Sequence, residues 1–143
     1  MDTPPPLLRD QRKVDAEHLR ILMICHYVLA GLSVLGLGFL ALHYLMMSMV
    51  FNSPEIWKDV KGGPPPAQLF AIFKWFYVFG AVMVIGHGVV NLVSAGCLKA
   101  RRHRTFSLIV SGLNCLFMPL GTTLGVFTFI VLLRESVKEL YDA

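Results

Sequence analysis

Two histidines, His26 and His87, lie within long apolar stretches and are the residues of this sequence best suited to chemistry. Imidazole binds haem iron and copper well, and ionisable residues inside a bilayer are rare because they are costly to place there. Ligands to one haem must lie at nearly the same depth. At about 1.5 Å of rise per residue, His26 lies about 8 Å deep and His87 about 17 Å deep, both measured from the same face of the membrane. They are therefore only weak candidates for cofactor binding, and we expect no cofactor and no metal.

The same histidines are well suited to hydrogen bonding between helices. By the same rise, Asn91 lies about 10 Å and Asn114 about 14 Å deep from that face of the membrane. His26 and Asn91 fall at similar depths, which predicts one contact, and Asn114 with His87 is a candidate second pair. Such bonds stabilise a membrane bundle by about 0.6 kcal/mol on average. The predicted interhelical polar contacts are His26, Asn91, His87 and Asn114.

Catalytic chemistry has little support in the sequence. No acidic residue lies within 18–54 or 60–134, so an enzyme or a proton-coupled transporter has no intramembrane carboxylate to use. The sequence also contains no P-loop and no H-E-x-x-H motif. We therefore predict a non-enzymatic protein with no catalytic residues.

The elements that position these residues follow from composition. Charged residues make up 15% of the chain and hydrophobic residues 55%, whereas a soluble domain has about 25% charged residues. This shortage of polar surface excludes a soluble enzyme. A helix needs about 20 apolar residues to cross a bilayer, and residues 21–50 and 69–98 are each longer than that. Both must be helical, because lipid offers no hydrogen-bond partners to an exposed backbone.

The third apolar stretch, residues 105–133, has turn signals at its centre. Pro119 disfavours helical geometry at the residue before it, Gly121 favours the end of a helix, and Thr122 is a good N-cap. These signals predict a helical hairpin that turns at Pro119–Thr122.

The fold class is therefore predicted as all-α, a polytopic membrane helical bundle. Its four transmembrane helices are expected at 21–50, 69–98, 100–118 and 122–142. The alternative has three helices, with 105–133 as a single kinked span.

Orientation follows from Lys and Arg, which accumulate on the cytoplasmic side. The first 20 residues and the turn at 99–104 carry four Lys or Arg residues each, whereas the 51–68 loop carries only two lysines. Both basic segments are therefore predicted to be cytoplasmic, and the hairpin returns the C-terminus to that side. We expect a single integral membrane domain over 1–143, with a disordered tail at 1–8 and an extracytoplasmic loop at 51–68.

The basic cytoplasmic turn is expected to contact anionic lipid headgroups, at about 1 kcal/mol per cation. Its cations are Lys99, Arg101, Arg102 and Arg104. Nucleic acid is not an expected partner, because the orientation rule already accounts for this charge.

Small residues predict where helices approach one another closely, since packing drives helix association in lipid. The expected packing glycines are Gly31, Gly36, Gly86, Gly88, Gly121 and Gly125. The last two form a G-x-x-x-G motif. The pattern leaves open whether the partner helix belongs to the same chain, to a second copy in a homo-oligomer, or to a larger membrane complex.

Several motifs resemble an uncharacterised family of small bacterial four-helix integral membrane proteins. They are EHLR at 17–20, HYV at 26–28 followed by Gly31, Arg101-Arg102, FMPLGTTLGVF at 117–127 and VLLRESVKEL at 131–140. The resemblance implies a bacterial inner (plasma) membrane and the hairpin at Pro119, and it carries no known activity. His18 and His26 belong to the resembling pattern, whereas His87 does not.

We therefore predict a small, non-enzymatic integral membrane protein that acts as an accessory subunit or scaffold in the bacterial inner membrane. Its N- and C-termini are expected in the cytoplasm. The alternatives are an oligomeric transporter or channel element, and a haem- or metal-binding redox subunit that uses His26 and His87.

Overall fold

The computed structural model describes residues 6–63 and 67–142, and every regular element within these ranges is an α-helix. The helices are α1 (Pro6–Asn52), α2 (Pro54–Trp57), α3 (Ala67–Ala100), α4 (Arg104–Asn114), α5 (Leu120–Leu132) and α6 (Glu135–Asp142). The predicted all-α fold class is confirmed.

Two of these helices are long and apolar enough to cross a membrane. The qualifying segments are Gln11–Asn52 of α1 and Gln68–Ala100 of α3, which contain the predicted spans at 21–50 and 69–98. A third crossing exists only if α5 and α6 are counted as one span, and these two helices are bent by 81° at the break between them. The described residues thus contain two or three segments capable of crossing, which fits a membrane protein.

The predicted helix at 100–118 differs from the helix observed. α4 begins at Arg104 and ends at Asn114, so its 11 residues rise only about 16 Å. The reversal begins before Pro119 and occupies residues 115–119, where backbone hydrogen bonds close a turn. Within this turn the Phe117 N–H donates to the Asn114 carbonyl and the Gly121 N–H to the Phe117 carbonyl.

The predicted helix at 122–142 is divided into two helices. α5 has 13 residues, a rise of about 20 Å, and ends at Leu132 before the chain bends into α6. Hydrogen bonds at the bend stabilise it, because Arg134 and Ser136 both donate to the Asp15 carboxylate of α1. Since the hydrocarbon core is about 30 Å thick, neither α4 nor α5 alone is long enough to cross it.

Helices also occur in the segments that flank the two predicted spans. Residues 1–5 of the predicted 1–8 tail lie outside the described residues, and α1 begins at Pro6. Proline is favoured in the first turn of a helix because its missing N–H has no intrahelical partner there. The 51–68 loop contains α2, while its residues 64–66 lie outside the described part of the chain.

The chain divides into two compact units. Unit 1 comprises Met1–Ala30 and Val89–Ala143, and unit 2 comprises Gly31–Gly88. The apolar core of unit 1 is formed by the buried residues Leu19, Leu22, Leu29, Leu98, Leu124, Val131, Leu132 and Val137. Its α1 members, Leu19, Leu22 and Leu29, are three and seven residues apart, as expected when one face of a helix is buried.

Unit 2 consists mainly of α1 and α3 running antiparallel. A Cβ added to Gly36 would lie 3.9 Å from Val84, and one added to Gly80 would lie 3.6 Å from Leu40, so contacts move back along α3 as α1 advances. Aromatic rings pack near the α2 end, where the centroids of Phe51 and Phe70 are 5.0 Å apart. Such rings favour a membrane–water interface.

Candidate functional site

The polar interior of unit 1 centres on His26, Asn91 and Asn114, which are all completely buried. Nδ1 of His26 lies 2.8 Å from Oδ1 of Asn91. Because an amide oxygen can only accept, Nδ1 carries the hydrogen in this bond. Asn91 and Asn114 also donate to each other, at 3.0 Å and 2.8 Å. The cluster thereby joins α1, α3 and α4 through side chains alone.

The sequence identifies these three residues, and the tertiary structure determines their pairing. The depth argument pairs His26 with Asn91, and the structure brings these two together. From the sequence, Asn114 with His87 is a candidate second pair. In the contacts described, Asn114 bonds to Asn91, and the Ser33 hydroxyl lies 3.2 Å from Nδ1 of His87. Asn114 is the last residue of α4, so its position depends on where the hairpin turns.

Buried hydroxyls extend this polar interior. Ser111 and Thr128 donate to the carbonyls of Ser107 and Leu124, one helical turn earlier. The hydroxyls of Ser94 and Ser107 are buried and have no hydrogen-bond partner among the described residues. Sequence reasoning missed them, although Ser107, Ser111 and Asn114 are spaced by four and three residues and so share one face of α4.

A second polar cluster surrounds Asp15, whose side chain is completely buried. Arg134 donates to its Oδ1 at 3.2 Å, and Ser136 donates to its Oδ2 at 2.5 Å. Nη1 of Arg134 also lies 3.4 Å from Nδ1 of His18, and the His18 ring meets the Phe127 ring edge-on. Asp15 was missed because it lies in the polar lead-in to the first span. It shares the buried α1 face with Leu19, and that spacing was the available signal.

The histidines of unit 2 have polar neighbours of their own. His87 lies beside Ser33, and the Tyr77 hydroxyl is 2.6 Å from Nδ1 of His43. His26 and His87, the weak candidates for cofactor binding, belong to different units. Within residues 6–63 and 67–142, no three His, Cys, Asp or Glu side chains converge as metal ligands.

The G-x-x-x-G motif packs α5 directly onto α4. A Cβ added to Gly121 would lie 2.4 Å from the Asn114 carbonyl oxygen, and one added to Gly125 would lie 2.4 Å from that of Ser111. No other residue fits at these positions without moving a backbone. An added Cβ on Gly31 or Gly86, by contrast, meets nothing within 4 Å. Gly88 is half-buried.

The basic turn connects α3 to the hairpin. Lys99, Arg101 and Arg102 are exposed. Arg104 donates through Nε to the Leu132 carbonyl at 2.7 Å, which ties the start of α4 to the end of α5. The polar side chains of unit 1 can therefore hold helices together and present cations at one end.

Comparison with known proteins yields no relative: no family model, no curated protein and no solved structure matches the chain.

Proposed function

We propose that this chain is a small, non-enzymatic protein of the bacterial inner membrane that crosses the bilayer twice and inserts α4–α5 as a re-entrant hairpin. The lengths of α4 and α5, about 16 and 20 Å, support half-depth insertion into an apolar layer of about 30 Å. The exposed side chains at the hairpin tip support it too, since Leu116 is 77% and Met118 84% exposed. Such an apolar tip is more favourable in lipid than in water.

The proposed orientation places both termini in the cytoplasm. α6 contacts the first turns of α1 through Asp15, Arg134 and Ser136, so the two terminal segments lie on one side of unit 1. The Lys and Arg residues of the turn at 99–104 support a cytoplasmic location for that side, because such residues accumulate there. The bacterial inner membrane rests on the family resemblance.

The role we propose is that of an accessory subunit or scaffold, and an open glycine face on α1 carries this proposal. Gly31 and Gly38 are seven residues apart on one helical face, and a Cβ on either would meet nothing within 4 Å. Ser33 and Leu40, on the other side of α1, face α3. A helix of a larger membrane complex or of a second copy can approach such a face closely.

The test is co-purification from native membranes with Gly38→Leu and Gly31→Leu variants. We expect both variants to lose the co-purifying protein or the second copy while retaining their helix content. Gly86→Leu introduces the same side chain at an exposed glycine of α3, where an added Cβ also meets nothing within 4 Å, and serves as the matched control. If the Gly31 and Gly38 variants retain every partner of the wild type, the scaffold role on this face is wrong.

A transporter or channel element is the second candidate, and the buried polar interior of unit 1 favours it. Ser94, Ser107 and the Asn91–Asn114 pair give that interior the hydrogen-bonding groups that a polar solute needs. One copy has too few helices to enclose a pore, so this role requires an oligomer. Native mass spectrometry in detergent distinguishes a pore from a scaffold, because a monomer or a complex with a different protein contradicts a self-assembled pore.

A Soret band that disappears in His26→Ala or His87→Ala would instead support the redox alternative.

A further inference from the structure

A basic cavity lies in unit 1 where the turn between α3 and α4 meets α6. It is lined by Arg101, Arg102, His103, Arg104, Lys138 and Tyr141 and has a volume of about 380 Å³. This volume falls within the range of about 300–1,000 Å³ typical of small-molecule sites. Four of the six residues carry a permanent positive charge, which favours an anionic occupant.

Tyr141 contributes a hydrogen-bond donor that the described residues leave unused. Its hydroxyl oxygen is buried and has no hydrogen-bond partner among them. Burial raises the pKa of Tyr141 to about 12; the Cys97 thiol acts in the same direction, while Arg104 and Arg101 oppose it. The phenol therefore stays protonated at neutral pH. Guanidinium and ammonium groups cannot accept its hydrogen, so the four cations of the lining offer the Tyr141 hydroxyl no acceptor.

Two residues of the turn that line the cavity have a left-handed backbone conformation. Arg101 and His103 have φ values of 49° and 52°, a left-handed conformation that residues other than glycine rarely adopt. α4 begins at Arg104, and its N-cap residue His103 makes no side-chain cap hydrogen bond. The N–H groups at a helix N-terminus and the helix dipole both favour an anion.

Two of the cavity's cations already have protein partners. Lys138 forms an ion pair with Glu135, and Arg104 donates to the Leu132 carbonyl. Arg101 and Arg102 are exposed at the cavity and present guanidinium groups whose planar geometry matches a phosphate.

We infer that this cavity binds a phosphate group, supplied by the headgroup of an anionic phospholipid or by a free phosphate anion, with Arg101, Arg102 and Tyr141 as donors. The lipid source rests on the proposed cytoplasmic orientation of the basic turn. The free-anion source does not. This goes beyond general attraction of the turn to anionic lipid, because it requires particular side chains and excludes Lys99, an equally exposed cation beside them.

The experiment measures binding to the full chain purified in zwitterionic detergent. One arm titrates phosphatidylglycerol against phosphatidylcholine by native mass spectrometry, and the other titrates inorganic phosphate and pyrophosphate by calorimetry. We expect Arg102→Gln to weaken binding about fivefold, which corresponds to about 1 kcal/mol per cation. Tyr141→Phe, which removes only the hydroxyl, should weaken it about tenfold because a hydrogen bond to a charged group is lost. Lys99→Gln is the matched control and should have no effect.

Each outcome decides the inference. Selective loss of phosphatidylglycerol binding in the cavity variants supports a lipid site, and selective loss of phosphate or pyrophosphate binding supports a free-anion site. An equal loss in Lys99→Gln overturns the inference, because diffuse surface charge would explain it. Binding that Tyr141→Phe and Arg102→Gln leave unchanged overturns it as well, and so does the absence of binding to any of these probes by the folded wild type. None of these results bears on the scaffold role, which depends on the α1 glycine face.

Discussion

The Asp15 carboxylate is completely buried, whereas the Arg134 side chain that pairs with it is 36% exposed. The two partners therefore do not contribute equally. Without Arg134, the buried carboxylate retains the Ser136 hydroxyl and the Gln11 amide, but no ion-pair partner among the described residues. Without a charge on Asp15, Arg134 can still reach water. Local sequence could not show this burial, because Asp15 has charged residues close to it on both sides and the helix it faces follows 119 residues later.

Arg134→Met should therefore lower the free energy of unfolding by about 3 kcal/mol or more, as expected for an uncompensated buried charge. Asp15→Asn should lower it by only about 1–2 kcal/mol, the value of a charged hydrogen bond. Equilibrium unfolding in mixed micelles measures both.

Arg12→Met is the control for this comparison, because its ion pair with Glu139 is exposed on both sides. Exposed pairs contribute at most about 1 kcal/mol. Equal losses in Arg12→Met and Arg134→Met would show that Asp15 is not buried as described.

The Asn91 amide lies between two polar partners, His26 and Asn114, and all three are fully buried. Asn91→Leu should lower the free energy of unfolding by about 1–2 kcal/mol, the upper end for interhelical bonds in membranes. Combining it with Asn114→Leu should cost less than the sum of the single changes, because both halves of the amide pair are removed together.

A double-mutant cycle measures this coupling directly. Asn52→Leu provides the control, since Asn52 is exposed and bonds only locally, to Ser48, in the contacts described. Additive effects of the Asn91 and Asn114 substitutions would mean that the two amides are not paired.

At the scale of the elements, α4 and α5 pack closely because two α5 residues at their contact are glycines, which have no side chain. Gly121 and Gly125 let the α5 backbone approach the Asn114 and Ser111 carbonyls. The sequence predicted a turn near Pro119 and close packing at these glycines. It left the partner helix open, because a G-x-x-x-G motif has the same form within a chain and between chains.

Gly121→Ala and Gly125→Ala should each destabilise the protein by about 1–3 kcal/mol, since a Cβ at 2.4 Å from a backbone oxygen forces the helices apart. Gly31→Ala and Gly86→Ala meet open space and should be neutral or slightly stabilising, because alanine is the better helix former. Unfolding measurements on the four variants check this. Equal losses in both pairs would contradict the packing of the hairpin.

For the whole molecule, the proposed topology differs from four full crossings in the position of the hairpin tip. A re-entrant hairpin leaves Met118 within the membrane, whereas two full crossings bring it to the extracytoplasmic surface. In a background with Cys25, Cys97 and Cys115 replaced by alanine, Met118→Cys should therefore resist an impermeant maleimide added from either side.

Two further substitutions calibrate the labelling. Lys58→Cys, in the loop after α2, should react from the extracytoplasmic side, and Glu139→Cys on α6 should react from the cytoplasmic side. Labelling of Met118→Cys as rapid as that of Lys58→Cys would establish four crossings and exclude the re-entrant hairpin.

The sequence by itself predicted a membrane environment and an all-α fold class for this protein. Residues 21–50 and 69–98 are apolar stretches longer than a bilayer requires, and Lys74 is their only Asp, Glu, Lys or Arg residue. Such stretches must be helical, because lipid offers the backbone no hydrogen-bond partners. The sequence also predicted interhelical polar contacts at His26, Asn91, His87 and Asn114, since depth along a helix follows from residue number alone.

Only the tertiary structure decided which groups meet. The ends of α4 and α5, the bend before α6, and the Asp15–Arg134 and Tyr141 sites all depend on contacts between segments that are far apart in the sequence. Local signals such as Pro119 mark where a chain can turn. Where a helix actually ends is set by the packing and hydrogen bonds that it makes with its neighbours, and periodicity along one segment cannot contain that information.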